Sequence, residues 1–187
     1  MLSIRLLQAV FTVFAVNLFV FNTAEKSHNL TVAAATNNQN ITIAAAEELK
    51  ITEEQVSQIV TQIVQALNNR NSQQLMKFLA PKYFEEVTVI TPEGPQTFRT
   101  NRDEYPQQIE EAKKKMQEYK VSYSNLETKI SSQGQKAEIN VTITEEFTMK
   151  GQKFKGTSSN TTNFELIAGQ ILATSSKSKL LDLLELN

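Results

Sequence analysis

The stretch "INVTITEEFTMKGQKFKG", residues 139–156, alternates apolar and polar residues on both sides of Lys150–Gly151. Strict alternation predicts a half-buried β-strand, and a two-residue pair containing glycine between two such runs predicts a tight turn. The stretch is therefore predicted to be a β-hairpin. Glu145 breaks the pattern, because the residues of the same parity on either side are apolar. Burying an unpaired carboxylate is costly, so Glu145 marks either a polar site or a bulge at Glu145–Glu146 that turns it to the surface.

The length of this turn fixes which residues face each other across the hairpin. With two residues in the turn, Phe147 faces Phe154 and Glu145 faces Gly156, which has no side chain to fill the space beside the carboxylate. A further turn is predicted at Ala168–Gly169. The same rule pairs Phe164 with Ala173, Thr162 with Ser175, and Asn160 with Lys177.

These hairpins extend into a meander whose first long strand begins at Lys120 and turns at Gln133–Gly134. Its apolar parity slips after Tyr123, which predicts a bulge at Ser124–Asn125 and a bend in the sheet. One face is mainly apolar and must be covered by helices. That face also carries Glu145, Ser158, Asn160, Thr162 and Ser175, whereas the opposite, nearly uncharged face carries Thr142, Thr144, Thr157, Ser159, Thr161, Asn163, Thr174 and Ser176.

Helices are predicted before the meander. Thr52 and Gln55 form a capping-box pattern, and an apolar stripe with helical spacing covers residues 56–67. A second helix is predicted from about Ser72 to Pro81, because proline ends helices. A strand, a turn around residues 92–95 and a short return strand follow.

A third helix is predicted to begin at Asp103, which would cap it, with Pro106 in the first turn. The lysine run 113–115 is interpreted as a solvated helix face. The predicted apolar face contains Tyr105, Ile109, Ala112, Met116 and Tyr119, and the predicted ion pairs are Glu110–Lys114 and Glu111–Lys115.

The N-terminus has the pattern of an export signal. Residues 1–24 combine one arginine with a short apolar run and small residues, which predicts a signal peptide cleaved after Ala24 or as late as Ala35. Residues 25–46 are expected to form a flexible linker, and residues 47–187 a single domain. We therefore expect a secreted or periplasmic protein; the competing interpretation is a membrane anchor formed by an uncleaved N-terminal helix.

Composition excludes several chemistries. The chain has no cysteine, and its single histidine, His28, lies in the linker, so thiol nucleophiles and imidazole bases are excluded from residues 47–187. No metal site and no cofactor are expected. The net charge of −1 disfavours nucleic acid as a partner, and no membrane association is expected after signal cleavage.

Three stretches together resemble a known family: "VTQIVQALNNRNSQQLMKFLAPKYFEEV", "QTFRTNRDEYPQQIEEA" and "YSNLETKISSQGQKAEINVTITEEF". Their order of helices and meander is similar to the nuclear-transport-factor-2-like superfamily, which includes SnoaL-like proteins and ketosteroid isomerase. The resemblance implies an α+β cone, with N-terminal helices packed on the concave face of a strongly bent antiparallel sheet around a pocket. It also implies frequent dimerisation through the outer sheet face. The family includes enzymes, ligand binders and adaptors, so it does not define the function.

Three functions are compatible with the sequence. The first is an exported non-enzymatic domain that binds a small, partly apolar ligand or a protein partner. The second is an isomerase, dehydratase or hydrolase in which Glu145 is the general acid or base and Tyr119 or Tyr123 polarises the substrate. The third is a structural homodimer formed through the Thr/Ser-rich face. The candidate ligand-binding residues are Glu145, Tyr119, Tyr123, Ser158, Asn160 and Thr162.

Overall fold

The computed structural model describes residues 49–186; the predicted signal segment 1–24 and linker 25–46 lie outside the described residues. No helix in the described part is long and apolar enough to cross a bilayer. The helices are α1 (Glu53–Asn68), α2 (Ser72–Met76), a 3₁₀ turn (Arg102–Glu104) and α3 (Tyr105–Lys115). The strands are β1 (Leu79–Thr91), β2 (Gly94–Asn101), β3 (Met116–Ile130), β4 (Lys136–Met149), β5 (Gln152–Ile167) and β6 (Gln170–Leu186).

The six strands form one sheet in the order β2-β1-β6-β5-β4-β3. Neighbouring strands are antiparallel except β1 and β6, which are parallel. Register shifts interrupt three of these pairs, and such irregularities bend a sheet. Side chains of α1 and α3 pack with those of β4 and β5 in one hydrophobic core. The predicted α+β fold, with helices on one face of a bent sheet, is confirmed, although the sheet is mixed rather than wholly antiparallel.

Helix α1 begins as its sequence predicts. The Gln55 amide donates to Thr52 Oγ1 at 3.2 Å, and the Thr52 amide donates to Gln55 Oε1 at 2.9 Å, which completes the capping box. Ile51, before the cap, and Val56, in the first turn, are both buried. The N-terminal cap therefore fixes where the apolar face of α1 starts to cover the sheet.

Helix α2 is shorter than predicted. It ends at Met76, and the segment with Leu79 and Pro81 belongs to β1 instead. The Ala173 amide donates to the carbonyl oxygen of Phe78 at 2.8 Å, which draws the chain into the sheet beside β6. Pairing with a distant strand therefore ends the helix before the proline does.

The start of α3 also differs from the prediction. Asp103 does not cap it, because residues 102–104 form a 3₁₀ turn in which Glu104 accepts a hydrogen bond from the Asn101 amide at 2.6 Å. Pro106 lies in the first turn of α3, as predicted.

The end of α3 falls at Lys115, so Met116 and Tyr119 lie in β3 and not on the helix. Lys113, rather than Lys114, pairs with Glu110, at 2.5 Å. The predicted pair between Glu111 and Lys115 is confirmed, at 3.4 Å.

The β4–β5 hairpin has the predicted register. Phe147 faces Phe154, with ring centroids 5.4 Å apart, and Glu145 faces Gly156. In β3 the predicted bulge is confirmed by a register shift between Ser124 and Glu127. Glu145 therefore keeps its place on the helix-facing side of the sheet.

The β5–β6 register is confirmed only next to the turn, where Phe164 faces Ala173. A bulge then adds one residue to β6, so Thr162 faces Ser176 rather than Ser175, and Asn160 faces Ser178 rather than Lys177. Ser176 consequently replaces Ser175 on the helix-facing side. Strand β6 runs on to Leu186 and includes Asp182.

The turn at Ala168–Gly169 generates a stability prediction. Ala168 has φ 50° and Gly169 has φ 79°, and an alanine in the left-handed region costs about 1 kcal/mol or more. Ala168→Asn should therefore raise the free energy of unfolding by about 1 kcal/mol, because asparagine–glycine suits this turn. Urea unfolding followed by circular dichroism measures the change. Ala168→Val, which is β-branched, should lower stability; equal stabilities of the two variants would contradict the argument.

Candidate functional site

A cavity of about 250 Å³ lies between the helices and the sheet face that they cover. Its walls are mostly aliphatic or aromatic side chains of α1, α3, β4 and β5, including Val60, Ile63, Ile109, Ile139, Val141 and Phe164. A smaller group of polar side chains lines the same space. Apolar walls with a few convergent polar groups are the usual composition of a small-molecule site.

Glu145 lines this cavity from β4. The Tyr119 hydroxyl donates to Glu145 Oε1 at 2.5 Å. Tyr119 reaches the carboxylate because the β3–β4 register shifts between Gln117 and Lys120, with Glu118 at φ 48°. A bulge in β3 therefore places a hydroxyl donor beside the carboxylate that the alternation pattern singled out.

The pKa of Glu145 is raised from 4.5 to about 7. Burial is the main cause, since it disfavours the charged form, and the negative charge of Glu85 adds to it. The hydrogen bond from Tyr119 acts in the opposite direction because it stabilises the carboxylate. Glu145 is only half-buried by surface area, which is consistent with a side chain that borders a cavity.

A second carboxylate, Glu85 of β1, lines the same cavity. It accepts one hydrogen bond from the Tyr105 hydroxyl and a second, at 3.1 Å, from the Ser178 hydroxyl. The hydroxyl oxygens of Tyr105 and Tyr83 lie 3.5 Å apart. Burial, followed by the charge of Glu85, raises the pKa of both tyrosines, so both remain neutral donors.

An amide–hydroxyl network continues from Glu85 along β5 and β6. Asn160 Nδ2 donates to Ser176 Oγ at 2.8 Å and to Ser178 Oγ at 2.7 Å, and Thr162 Oγ1 donates to Asn160 Oδ1 at 2.7 Å. These groups line the cavity, but their hydrogen bonds are made to one another. Their order depends on the bulge in β6, which places Ser176 and Ser178 opposite Thr162 and Asn160.

Most of the residues predicted from the sequence share this cavity. Glu145, Tyr119, Ser158, Asn160 and Thr162 all line it; their role in binding stays a prediction. Tyr123 does not line it. Its hydroxyl lies 3.0 Å from Thr61 Oγ1, so it links β3 to α1.

Sequence reasoning missed the groups contributed by β1 and by the start of α3. Glu85 lies between Tyr83 and Val87, which are both buried. It therefore interrupts the apolar face of β1 in the same way that Glu145 interrupts the apolar face of β4. The residues that surround Glu85 could not be predicted from the sequence, because β1 pairs in parallel with β6, the strand farthest from it along the chain. The predicted continuation of helix α2 to Pro81 also obscured the alternation.

Two further polar side chains line the cavity. Arg70 donates from Nη1 to the Met116 carbonyl oxygen at 2.9 Å, and its guanidinium carbon lies 5.4 Å from the centroid of the Tyr119 ring. Gln108 Nε2 is buried and has no hydrogen-bond partner within residues 49–186. Buried polar atoms normally have hydrogen-bond partners, so this unpaired donor distinguishes the cavity wall from an ordinary core.

The described chain holds no cluster of three or more His, Cys, Asp or Glu suited to a metal ion.

Several solved structures are similar to this chain. A hexachlorocyclohexane dehydrochlorinase, LinA-type3, from Novosphingobium barchaimii superposes with a TM-score of 0.57 at 11% identity, covering 70% of this chain and 87% of that one. An NTF2-like protein from Cytophaga hutchinsonii gives 0.55 at 13% identity, covering 70% and 100%. An NTF2-like protein with a cystatin-like fold from Novosphingobium aromaticivorans gives 0.53 at 12% identity, covering 69% and 81%.

These similarities confirm the fold resemblance inferred from the sequence: the chain has the NTF2-like, cystatin-like α+β fold. At such low identity they establish the fold alone. No family model matches the sequence, and no curated protein matches it. The fold alone therefore does not define the function, which depends on the chemistry of the cavity.

The raised pKa of Glu145 predicts a pH dependence of stability. Between about pH 4.5 and pH 7 the folded state retains a proton that the unfolded state releases, so stability falls as pH rises through this window. The fall is on the order of 3 kcal/mol. Glu145→Gln mimics the protonated form of Glu145 and should therefore remove this fall in stability. The variant should then be more stable than the wild type above pH 7.

Urea unfolding at several pH values measures this effect. The matched control is Glu146→Gln, because Glu146 is the next residue of β4 and pairs with Lys155 at 3.4 Å instead of bordering the cavity. This control should retain the wild-type fall in stability. Parallel pH profiles for the wild type and Glu145→Gln would contradict a raised pKa at this site.

Proposed function

We propose that this protein is an exported, non-enzymatic domain that binds a small, partly apolar ligand in the cavity. The observation that carries the proposal is the combination of apolar walls with the paired Glu145 and Tyr119, in a space of about 250 Å³. A cavity of about 150 Å³ suffices for benzene, so this one has room for a substituted ring. Export rests on the sequence of residues 1–24.

The unpartnered Gln108 Nε2 supports a ligand with a hydrogen-bond acceptor. An unsatisfied buried donor costs about 1–3 kcal/mol, and a ligand acceptor would recover that energy on binding. Retention of such a donor costs stability, which is typical of a group kept for binding. Gln108 lies on α3 one turn beyond Tyr105, on the side that lines the cavity.

Gln108→Leu should separate binding from stability. Without ligand, the variant should be more stable by about 1 kcal/mol, because a buried unsatisfied amide is replaced by an apolar side chain. Its affinity for tyrosol, a phenol with a short hydroxyl side chain, should fall about fivefold. Urea unfolding and calorimetric titration measure the two effects.

Gln107→Leu is the matched control for this experiment, because Gln107 is exposed and donates to Glu111 at 3.2 Å on the outer side of α3. It should leave tyrosol affinity unchanged. Failure of the wild-type protein to bind tyrosol or any other small aromatic probe would argue against the proposed function. Mass spectrometry of ligand retained during purification would identify the natural ligand class.

A second candidate function is proton-transfer catalysis with Glu145 as general base. It is favoured by the pKa of about 7, which is suited to accepting a proton near neutrality. Tyr119 would then adjust the basicity of Glu145 rather than polarise the substrate, because its hydroxyl is committed to the carboxylate. Tyr123 is not in a position to assist from the cavity wall.

The ketone 4-(4-hydroxyphenyl)butan-2-one tests this second function. A general base at Glu145 should accelerate exchange of the protons next to its carbonyl for deuterium in heavy water, as followed by NMR. Glu145→Gln should abolish the acceleration, whereas Glu146→Gln should keep it. A ketone that binds but exchanges no faster than in buffer would leave only the binding function.

Homodimerisation through the Thr/Ser-rich outer face is a separate proposal. That face contains Thr142, Thr144, Thr157, Ser159, Thr161, Asn163, Thr174 and, after the register correction, Ser175 instead of Ser176. Several of its side chains already bond to each other, including Thr161 to Asn140 at 2.7 Å and Asn163 to Ser175 at 3.1 Å. Sedimentation equilibrium tests the proposal, and a monomer at high concentration would contradict it.

A further inference from the structure

The charges that line the cavity are unbalanced. Of the formally charged residues among its lining side chains, Glu85 and Glu145 are acidic and Arg70 is basic. Within residues 49–186 neither acidic side chain has a basic partner within ion-pair distance. Both accept instead from neutral tyrosine hydroxyls, Tyr105 and Tyr119.

The residues next to these two carboxylates behave differently. Glu86 lies 3.8 Å from both Arg99 and Lys177, and Glu146 lies 3.4 Å from Lys155. In both pairs, Glu85–Glu86 and Glu145–Glu146, one member is therefore paired with a base on the outer side and the other lies at the cavity without a base. The chain thus provides basic partners on one face of the sheet and leaves the cavity carboxylates without them.

Arg70 does not supply the missing charge. Its guanidinium donates to the Met116 carbonyl oxygen and lies over the Tyr119 ring, and its charge lowers the otherwise raised pKa of Tyr119. The pKa of Glu145, in contrast, is determined by burial, by the Tyr119 hydroxyl and by Glu85. The carboxylate of Glu145 is therefore destabilised by a second negative charge without compensation from a basic side chain.

The unpartnered amide of Gln108 is a second polar feature of the cavity that favours a ligand. The buried Gln108 Nε2 lacks an acceptor within the described chain, although it borders the same space. Bound water or a bound organic molecule could satisfy it, but the mostly apolar walls favour a molecule with an apolar body. Three tyrosines, Tyr83, Tyr105 and Tyr119, also border the cavity, and aromatic rings attract cations.

Resting on the proposed binding function, we propose that the ligand is a small organic cation, an amine on an apolar body, held by the carboxylates of Glu85 and Glu145. An ammonium group supplies the positive charge that the cavity lacks and up to three hydrogen-bond donors for carboxylate oxygens. The aliphatic walls and tyrosine rings accommodate the rest of the molecule. A hydroxyl or ether oxygen on that body would accept a hydrogen bond from Gln108 Nε2.

This inference implies that binding depends on pH. Glu145 must be ionised to contribute its charge, and it is partly protonated near neutrality. The other ionisable groups that line the cavity are Tyr119 from β3, Tyr83 and Glu85 from β1, Arg70 from the turn after α1 and Tyr105 from α3. Of these, the tyrosines stay neutral in the physiological range, because burial raises the pKa of each. Affinity for an amine should therefore increase severalfold from pH 6 to pH 8.

Three probes with the same phenol ring and different charge test the inference: tyramine, a cation; tyrosol, neutral; and 4-hydroxyphenylacetate, an anion. Calorimetric titration of the full-length chain at pH 7.5 should show tyramine binding at least tenfold more tightly than tyrosol. Equal or tighter binding of tyrosol or 4-hydroxyphenylacetate would overturn the cation inference and leave the binding function intact. Binding by none of the three would contradict the binding function itself.

Substitutions locate the effect. Glu85→Gln and Glu145→Gln should each abolish most of the preference for tyramine over tyrosol, whereas Glu86→Gln and Glu146→Gln should preserve it. Amide NMR spectra check that each variant is folded. A tyramine preference that survives in both folded cavity variants would overturn the inference. If a cavity variant does not fold, the ranking of the three probes and the pH dependence on the wild type still decide it.

Discussion

The parallel pairing of β1 with β6 is the constraint on which the cavity depends. It brings the strand that follows α2 beside the last strand of the chain, with Leu79 opposite Ala173 and Glu85 opposite Ser176. Without it, Glu85 would be far from Ser178 and from the network around Asn160. A register shift between Leu79 and Phe84 accompanies the pairing and helps to curve the sheet around the helices.

Bulges determine which side chains enter the cavity. The one near Glu118 directs Tyr119 to Glu145, and the one at Thr174 places Ser176 beside Asn160. Since side chains alternate with a period of two, one extra residue transfers the following positions of a strand to the other face. The chemistry of the site is thus set by a few backbone irregularities as much as by residue type.

The two cavity carboxylates, Glu85 and Glu145, differ in how far the sequence predicts their position. Glu145 was identifiable because its hairpin has an unambiguous turn and an uninterrupted register down to Val141 and Asn160. Glu85 has the same alternation but no nearby turn that ties β1 to β6. Local patterns also wrongly placed Tyr123 at the cavity, whereas its hydroxyl bonds to α1. They extended α3 through residues that form the beginning of β3.

The sequence by itself determined the capping of α1, the three glycine turns of the meander, the hairpin register around Glu145, and the α+β fold, because each depends on residues close together in the chain. Only the tertiary structure decided the β1–β6 pairing, the bulge at Thr174 and the meeting of Glu85 with Tyr105, since these depend on contacts between distant segments. The electrostatic character of the cavity belongs to this second group. The charge of Glu85 raises the pKa of Glu145 only because folding places both carboxylates at one desolvated space.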